Sequence, residues 1–190
     1  MKTPALLLIA IVALATAVPG MARQKNVTDP GIPRSLPTEG GAVSVSWTDP
    51  AQFSEIKYSG SRWESERGTW VTDLAKYLRD EAGQQLARGQ TLDIVITDID
   101  RAGRYEPSAR SAMNDIRIVK DIYPPRIALS FSVKGPDGQV IAEGERKLVD
   151  HGFLMGPNLN NNDTLRYEKR LIDDWLRKEF RSGQAVTATP

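Results

Sequence analysis

The sequence predicts a two-layer α+β domain, an antiparallel or mixed sheet of four to five strands with two helices packed on one face. Three observations carry that expectation. Ile127, Leu129, Phe131 and Val133 alternate with Ala128, Ser130, Ser132 and Lys134, the period-two pattern of a strand with one buried face. Residues 66–88 and 165–180 each repeat apolar side chains at helical spacing, which makes one buried stripe per helix. Between the alternating strand and the next apolar run stands Gly135-Pro136-Asp137-Gly138. Proline presets the first central φ and glycine permits a positive φ, so a tight hairpin turn is expected there.

Met1 to Ala22 reads as a secretory signal. Lys2 supplies a short positive start, Ala5 to Ala17 the apolar stretch, and Pro19 a helix stop before the small residues Gly20-Met21-Ala22. Cleavage is expected after Ala22, with Ala17 the alternative. The apolar stretch is shorter than the roughly 20 residues that span a bilayer. The prediction is therefore an exported protein with no transmembrane span once the signal is removed. Arg23 to Gly41, with Pro30, Pro33 and Pro37, reads as a flexible linker. A single domain over residues 42–181 follows, and residues 182–190 read as a frayed tail.

Within the domain, Val43, Val45 and Trp47 alternate with Ser44, Ser46 and Thr48 in a first strand that Asp49-Pro50 ends. The helix over 66–88 carries Trp70, Val71, Leu74, Tyr77, Leu78, Ala82 and Leu86, with Gly89 as its stop. In Leu92 to Ile99 apolar residues stand at both parities, which predicts a central strand partly covered on both faces. Ile116, Ile118 and Val119 suggest a short strand before Pro124-Pro125, and Val140 to Val149 forms the second arm of the hairpin. Asp163 or Thr164 can cap a last helix whose apolar positions are Leu165, Leu171, Ile172, Trp175, Leu176 and Phe180. Asp173 with Arg177 and Asp174 with Lys178 stand four apart on its wet side.

Composition narrows the chemistry. The 190 residues are 40% hydrophobic and 26% charged, ordinary values for a globular domain, and include no cysteine. Disulfides, thiol catalysis and cysteine metal sites are excluded. There are 25 Lys and Arg against 24 Asp and Glu, and loss of Lys2 with the signal makes the count even. That balance points away from nucleic acid as a partner.

Several motifs, in order, resemble one family. They are Val43 to Phe53 (VSVSWTDPAQF), Thr97 to Gly103 (TDIDRAG), Asp115 to Ile127 (DIRIVKDIYPPRI) and Leu165 to Phe180 (LRYEKRLIDDWLRKEF). Together they resemble the proteobacterial domain-of-unknown-function family numbered 3016. The resemblance covers nearly all of the chain between linker and tail. It implies a Gram-negative envelope setting, hence a periplasmic location for the exported chain, and carries over no catalytic or binding residue.

No phosphate-cradling glycine loop and no nucleophile elbow is present. His151 is the only histidine; it excludes a multi-histidine zinc site and reads best as a structural or merely solvated loop residue. Asp98, Asp100 and Gly103 match part of a calcium loop, but Ala102 and Ala109 stand where further ligands belong. No metal or cofactor is implied. The candidate polar cluster is Asp98, Asp100, Asp115, Asp121, Arg126 and Arg166, with Lys120 beside them. An ion-pair network is expected in which Arg126 or Arg166 ties one of these aspartates to the last helix. The function read from all this is a non-enzymatic binding or accessory module, its partner an envelope protein or cell-wall component reached through the open sheet face or the 101–114 loop. The alternative is a carboxylate- or metal-dependent hydrolase using Asp98, Asp100 and Asp121.

Overall fold

The structure is a computed structural model that describes residues 25–37, 41–106, 115–155 and 162–180. The signal segment, residues 107–114 and the tail lie outside the described residues. The elements are β1 (Val43–Trp47), α1 (Ser54–Lys57), α2 (Arg62–Glu66), α3 (Trp70–Gln85), β2 (Thr91–Asp100), β3 (Arg104–Tyr105), β4 (Arg117–Ile118), β5 (Arg126–Lys134), β6 (Val140–Val149) and α4 (Arg166–Phe180).

The predicted α+β class is observed. Four strands form a mixed sheet in the order β1-β2-β5-β6, and β3 and β4 pair in a separate two-stranded ribbon. β1 runs parallel to β2, which requires the crossover that α1 to α3 supply. The pairs β2 with β5 and β5 with β6 are antiparallel. The hairpin closes where Gly138 N–H donates to Gly135 O at 2.9 Å, with Gly138 at φ +78°.

One face of the sheet is buried. Val43, Val45, Leu92, Ile94, Ile96, Ile127, Leu129, Phe131 and Val133 share a core with Trp70, Leu74 and Leu78 of α3 and Leu171, Ile172, Trp175 and Leu176 of α4. Burying each such side chain stabilises the fold by about 1.5–3 kcal/mol. Phe131 meets Trp175 edge-on, with ring centroids 5.8 Å apart. The polar parity of β5, Ala128 to Lys134, faces away from this core.

Four expectations are corrected. β2 is central, but among the described residues only one face is covered, its residues alternating buried and exposed up to Ile96. Of the two off-parity apolar residues, Val95 is exposed, and Ile99 follows a slip in the pairing between Ile96 and Asp98 that leaves Thr97 without a partner on β5. This bulge returns Ile99 to the core. The first long helix starts at Trp70, since Gly68 adopts φ +91° and separates it from α2. The predicted linker is partly core: Val27 and Leu36 are buried, Leu36 N–H donates to Val45 O at 3.0 Å, and Trp47 N–H donates to Arg34 O at 2.9 Å. On α4, Arg177 pairs with Asp174 rather than Asp173. Asp173 instead accepts the Tyr77 hydroxyl at 2.7 Å, joining α4 to α3.

Because Phe131 is buried and Ser130 lies on the uncovered face, the two should respond differently to truncation. Urea unfolding should show a loss of about 3–5 kcal/mol for Phe131→Ala and a change within about 0.5 kcal/mol for Ser130→Ala. Similar losses at both positions would mean that the faces are assigned wrongly.

Candidate functional site

The bulge at Thr97 sets the site. Downstream of it, Asp98 pairs with Ala128 and Asp100 with Arg126, and Ala128 and Arg126 pair in turn with Lys147 and Val149 of β6. Asp98, Ala128 and Lys147 thus form one row across the open face. The small Ala128 between two long side chains leaves a depression. Around it lies a cleft of about 840 Å³. Its lining includes Ser54 of α1 and Tyr58 just after it, Arg104 of β3, Tyr123 and Pro124 before β5, and His151.

Each carboxylate at the cleft is engaged. Asp98 Oδ1 accepts the Ser54 N–H at 2.6 Å and Oδ2 accepts the Ser54 hydroxyl at 2.7 Å. It closes the start of α1 from outside that helix, satisfying a donor that the first turn leaves free. Asp100 lies 3.6 Å from the Arg104 guanidinium. Burial, with the nearby Glu55 carboxylate, holds the Asp100 carboxyl above the ordinary range against the pull of Arg104 and Arg126. Arg104 also stacks over Tyr123, 5.2 Å from its ring centroid.

Of the six predicted site residues, the structure brings Asp98, Asp100 and Arg126 together in the cleft. Asp115 and Asp121 are exposed and do not line it. Arg166 points elsewhere: its guanidinium donates to Asp163 O at 2.9 Å and Tyr167 Oη at 3.1 Å. Among the described residues no ion pair joins Arg126 or Arg166 to the four aspartates. Among the described residues no group of three or more histidine or acidic side chains could hold a metal ion, and Ala109 of the partial calcium-loop match lies outside them. Gly103 is needed for another reason. At φ +79° a Cβ there would stand 2.8 Å from Ile118 O, so glycine lets β4 approach.

An ion-pair network does exist, built from residues that the sequence reading passed over. Glu55, 4% exposed, accepts the Arg101 N–H and its guanidinium, each at 3.0 Å, and pairs with Arg117. Arg117 also donates to Gly103 O at 2.9 Å and stacks on Tyr105. Burial opposes the Arg117 charge, but Glu55 outweighs it and raises the pKa. The tie to the last helix comes from Glu168, whose Oε1 accepts the Ala102 N–H at 2.7 Å. Glu168 is 1% exposed, its Oε2 has no hydrogen-bond partner, and burial pushes its pKa up. Beside Arg101 and Arg117 a smaller cavity of about 480 Å³ also exposes Arg67 and Tyr105. One signal pointed to Glu55: it stands between Phe53 and Ile56, so a turn that buries both brings the acid inward as well.

The fold and cleft define a two-layer α+β domain with a polar depression on its uncovered sheet face. The chain belongs to the family described as protein of unknown function (DUF3016), whose model matches residues 41–178. No curated protein and no solved structure matches the chain. No helix among the described residues is long and apolar enough to cross a membrane.

Removing Glu55 strands two largely buried guanidinium groups. Glu55→Ala should therefore cost about 3–5 kcal/mol in denaturant unfolding. A double-mutant cycle with Arg117→Ala should show coupling, and additive losses would refute it. The raised pKa of Glu168 means that the folded state holds its proton to higher pH than the unfolded chain. Its ionisation therefore weakens the fold as pH rises from the unfolded value through the folded one. The stability of Glu168→Gln relative to the native chain should accordingly improve between pH 4 and 8; a flat difference would refute the buried carboxyl.

Proposed function

We propose that this chain is an exported, periplasmic, non-enzymatic binding module that holds a polar molecule of the cell envelope in the cleft at the ends of β2, β5 and β6. One observation carries the reading. Arg126 and Lys147 line the cleft beside the small Ala128 floor, and neither has a salt bridge among the described residues. Two cations at a concave surface are available to a ligand, while the acids there are already engaged. Tyr58 on the rim, 61% exposed, adds a ring that a ligand can cover.

The hydrolase reading has one observation in its favour. Asp98 and Asp100 share the cleft, and burial holds the Asp100 carboxyl up, as general acids require. Against it, both oxygens of Asp98 serve α1, and Asp121 lies outside the lining. Binding is the better-supported role.

Export is tested by cell fractionation. The full chain should appear in the periplasm, and a chain lacking residues 1–22 should remain in the cytoplasm. Binding is tested by NMR titration of the ¹⁵N-labelled protein with soluble cell-wall fragments and synthetic charged peptides. Shifts should concentrate at Asp100, Arg126 and Lys147, and Arg126→Glu should weaken them about tenfold. Intact probe by mass spectrometry supports binding, whereas cleavage lost in Asp100→Asn would establish the hydrolase.

A further inference from the structure

The cleft does not end at the Asp98 row. The next row on the open face is Val95, Ser130 and Glu145, and the one after it Asp93, Ser132 and Glu143. A second cavity of about 360 Å³ is lined by these same residues. The two cavities therefore occupy adjacent rows of one surface. Along β5 the floor is Ala128, Ser130 and Ser132, all small. The walls are the longer side chains of β2 on one side and β6 on the other. The walls stand two strand spacings apart, about 9.6 Å, and the floor from Arg126 to Ser132 runs about 20 Å at roughly 3.3 Å per residue.

Charge is sorted along this groove. Arg126 and Lys147 lie at one end, where Asp98 accepts from Ser54 and Asp100 faces Arg104, and Glu143 and Glu145 lie at the other. Among the described residues Lys147, Glu143 and Glu145 have no ion-pair partner, whereas Asp93 is held by Lys134 at 2.9 Å. Resting on the binding reading above, we propose that the groove takes an extended polypeptide segment of about six or seven residues, acidic at the end over Arg126 and Lys147 and basic at the end over Glu143 and Glu145. An extended chain fits the length and the width. Its side chains, alternating up and down, can reach the floor serines and the walls. A neutral glycan can donate hydroxyls to Glu143 and Glu145 but carries no charge to match either end. A second copy of this chain could match the charges head to tail, but two concave faces with polar walls do not fill one another. On this face Val95 is 37% and Val149 42% exposed, and Tyr58 and Ile122 at the cleft rim are 61% and 65% exposed, but the groove between them is lined mostly by polar side chains, unlike the apolar centre of a stable dimer.

The test uses the whole chain and fluorescent seven-residue peptides read by anisotropy. Two peptides carry two glutamates at one end and two lysines at the other around three serines, in opposite orientations; a third carries serine alone, and a fourth glutamate throughout. One orientation of the polarised peptide should bind at least tenfold more tightly than the serine and all-glutamate peptides. Lys147→Glu should weaken it about tenfold, and exchanging the peptide's glutamates for lysines should restore binding to that variant. The same should hold for Glu145→Lys with the peptide's lysines changed to glutamates. This charge-swap rescue excludes misfolding as the cause of a loss. Equal binding of all four peptides, or no rescue, overturns the proposal. If cell-wall saccharide chains free of peptide shift the cleft and the polarised peptides do not, the groove proposal falls while the binding module stands. If neither shifts it, both fall. A dimer by sedimentation that Lys147→Glu breaks would overturn the peptide in favour of a second copy.

Discussion

The arrangement depends on one residue too many in β2. Thr97 has no partner on β5, and everything downstream is displaced by one position. Without that slip the buried parity of Leu92, Ile94 and Ile96 would continue to Asp98 and Asp100. Two carboxylates would enter an apolar core, and Ile99 would turn to water. Burying unpaired ionised carboxylates opposes folding far more than one bulge does. The bulge therefore resolves a conflict between the apolar pattern and the acids, and in doing so creates the site. It places Asp98 under α1, Asp100 beside Arg104, and Ala128 in the row where the floor is lowest.

The second layer of organisation is polar. α1 is a single turn and has little stability of its own. It stays in place because Asp98 holds its first residue from outside and Glu55, its second, is buried against Arg101 and Arg117. Arg101 lies over Trp70, 4.6 Å from the ring centroid, and so brings α3 into the same junction. Glu168 brings α4 to it through Ala102. A group of charges thus joins three helices to the end of β2 at the point where the sheet core gives out. Such a cluster fixes geometry more than it adds net stability, because desolvation offsets much of the attraction. Fixed geometry is what a cleft wall made partly of Tyr58 and Arg104 requires.

Much of the fold was legible in the sequence, and the reason is periodicity. β1, β5 and the hairpin turn follow from alternation and turn chemistry, and α4 from its apolar stripe. The site was legible only in part. Asp98, Asp100 and Arg126 could be selected because they stand at strand ends, and those three meet. Arg166 could not be separated from its neighbours by sequence, since a rotation about the helix axis decides whether it faces the aspartates or Tyr167. Thr97 looked like an ordinary strand residue, so two-sided burial was the natural reading of a pattern that an exposed Val95 and a bulge before Ile99 produced together. Lys147, Glu143 and Glu145 were visible as one parity of β6. Their significance depends on β5 carrying only small residues between them and β2, a fact about two strands at once.

That same parity explains why the open face can stay uncovered. The groove itself is lined mostly by polar side chains, so leaving it in water forfeits little hydrophobic stabilisation, while the exposed charges there contribute little to the fold. Groups of this kind are free to act on a partner. Their attraction extends over about 8–10 Å at ordinary salt, roughly the distance between the groove walls, so an approaching chain feels the sign of each end before it touches the floor. Such charges set the rate and the orientation of encounter more than the final affinity. The floor of Ala128, Ser130 and Ser132 can add hydrogen bonds but little apolar burial. The face is therefore built for selective, salt-sensitive and readily reversible contact.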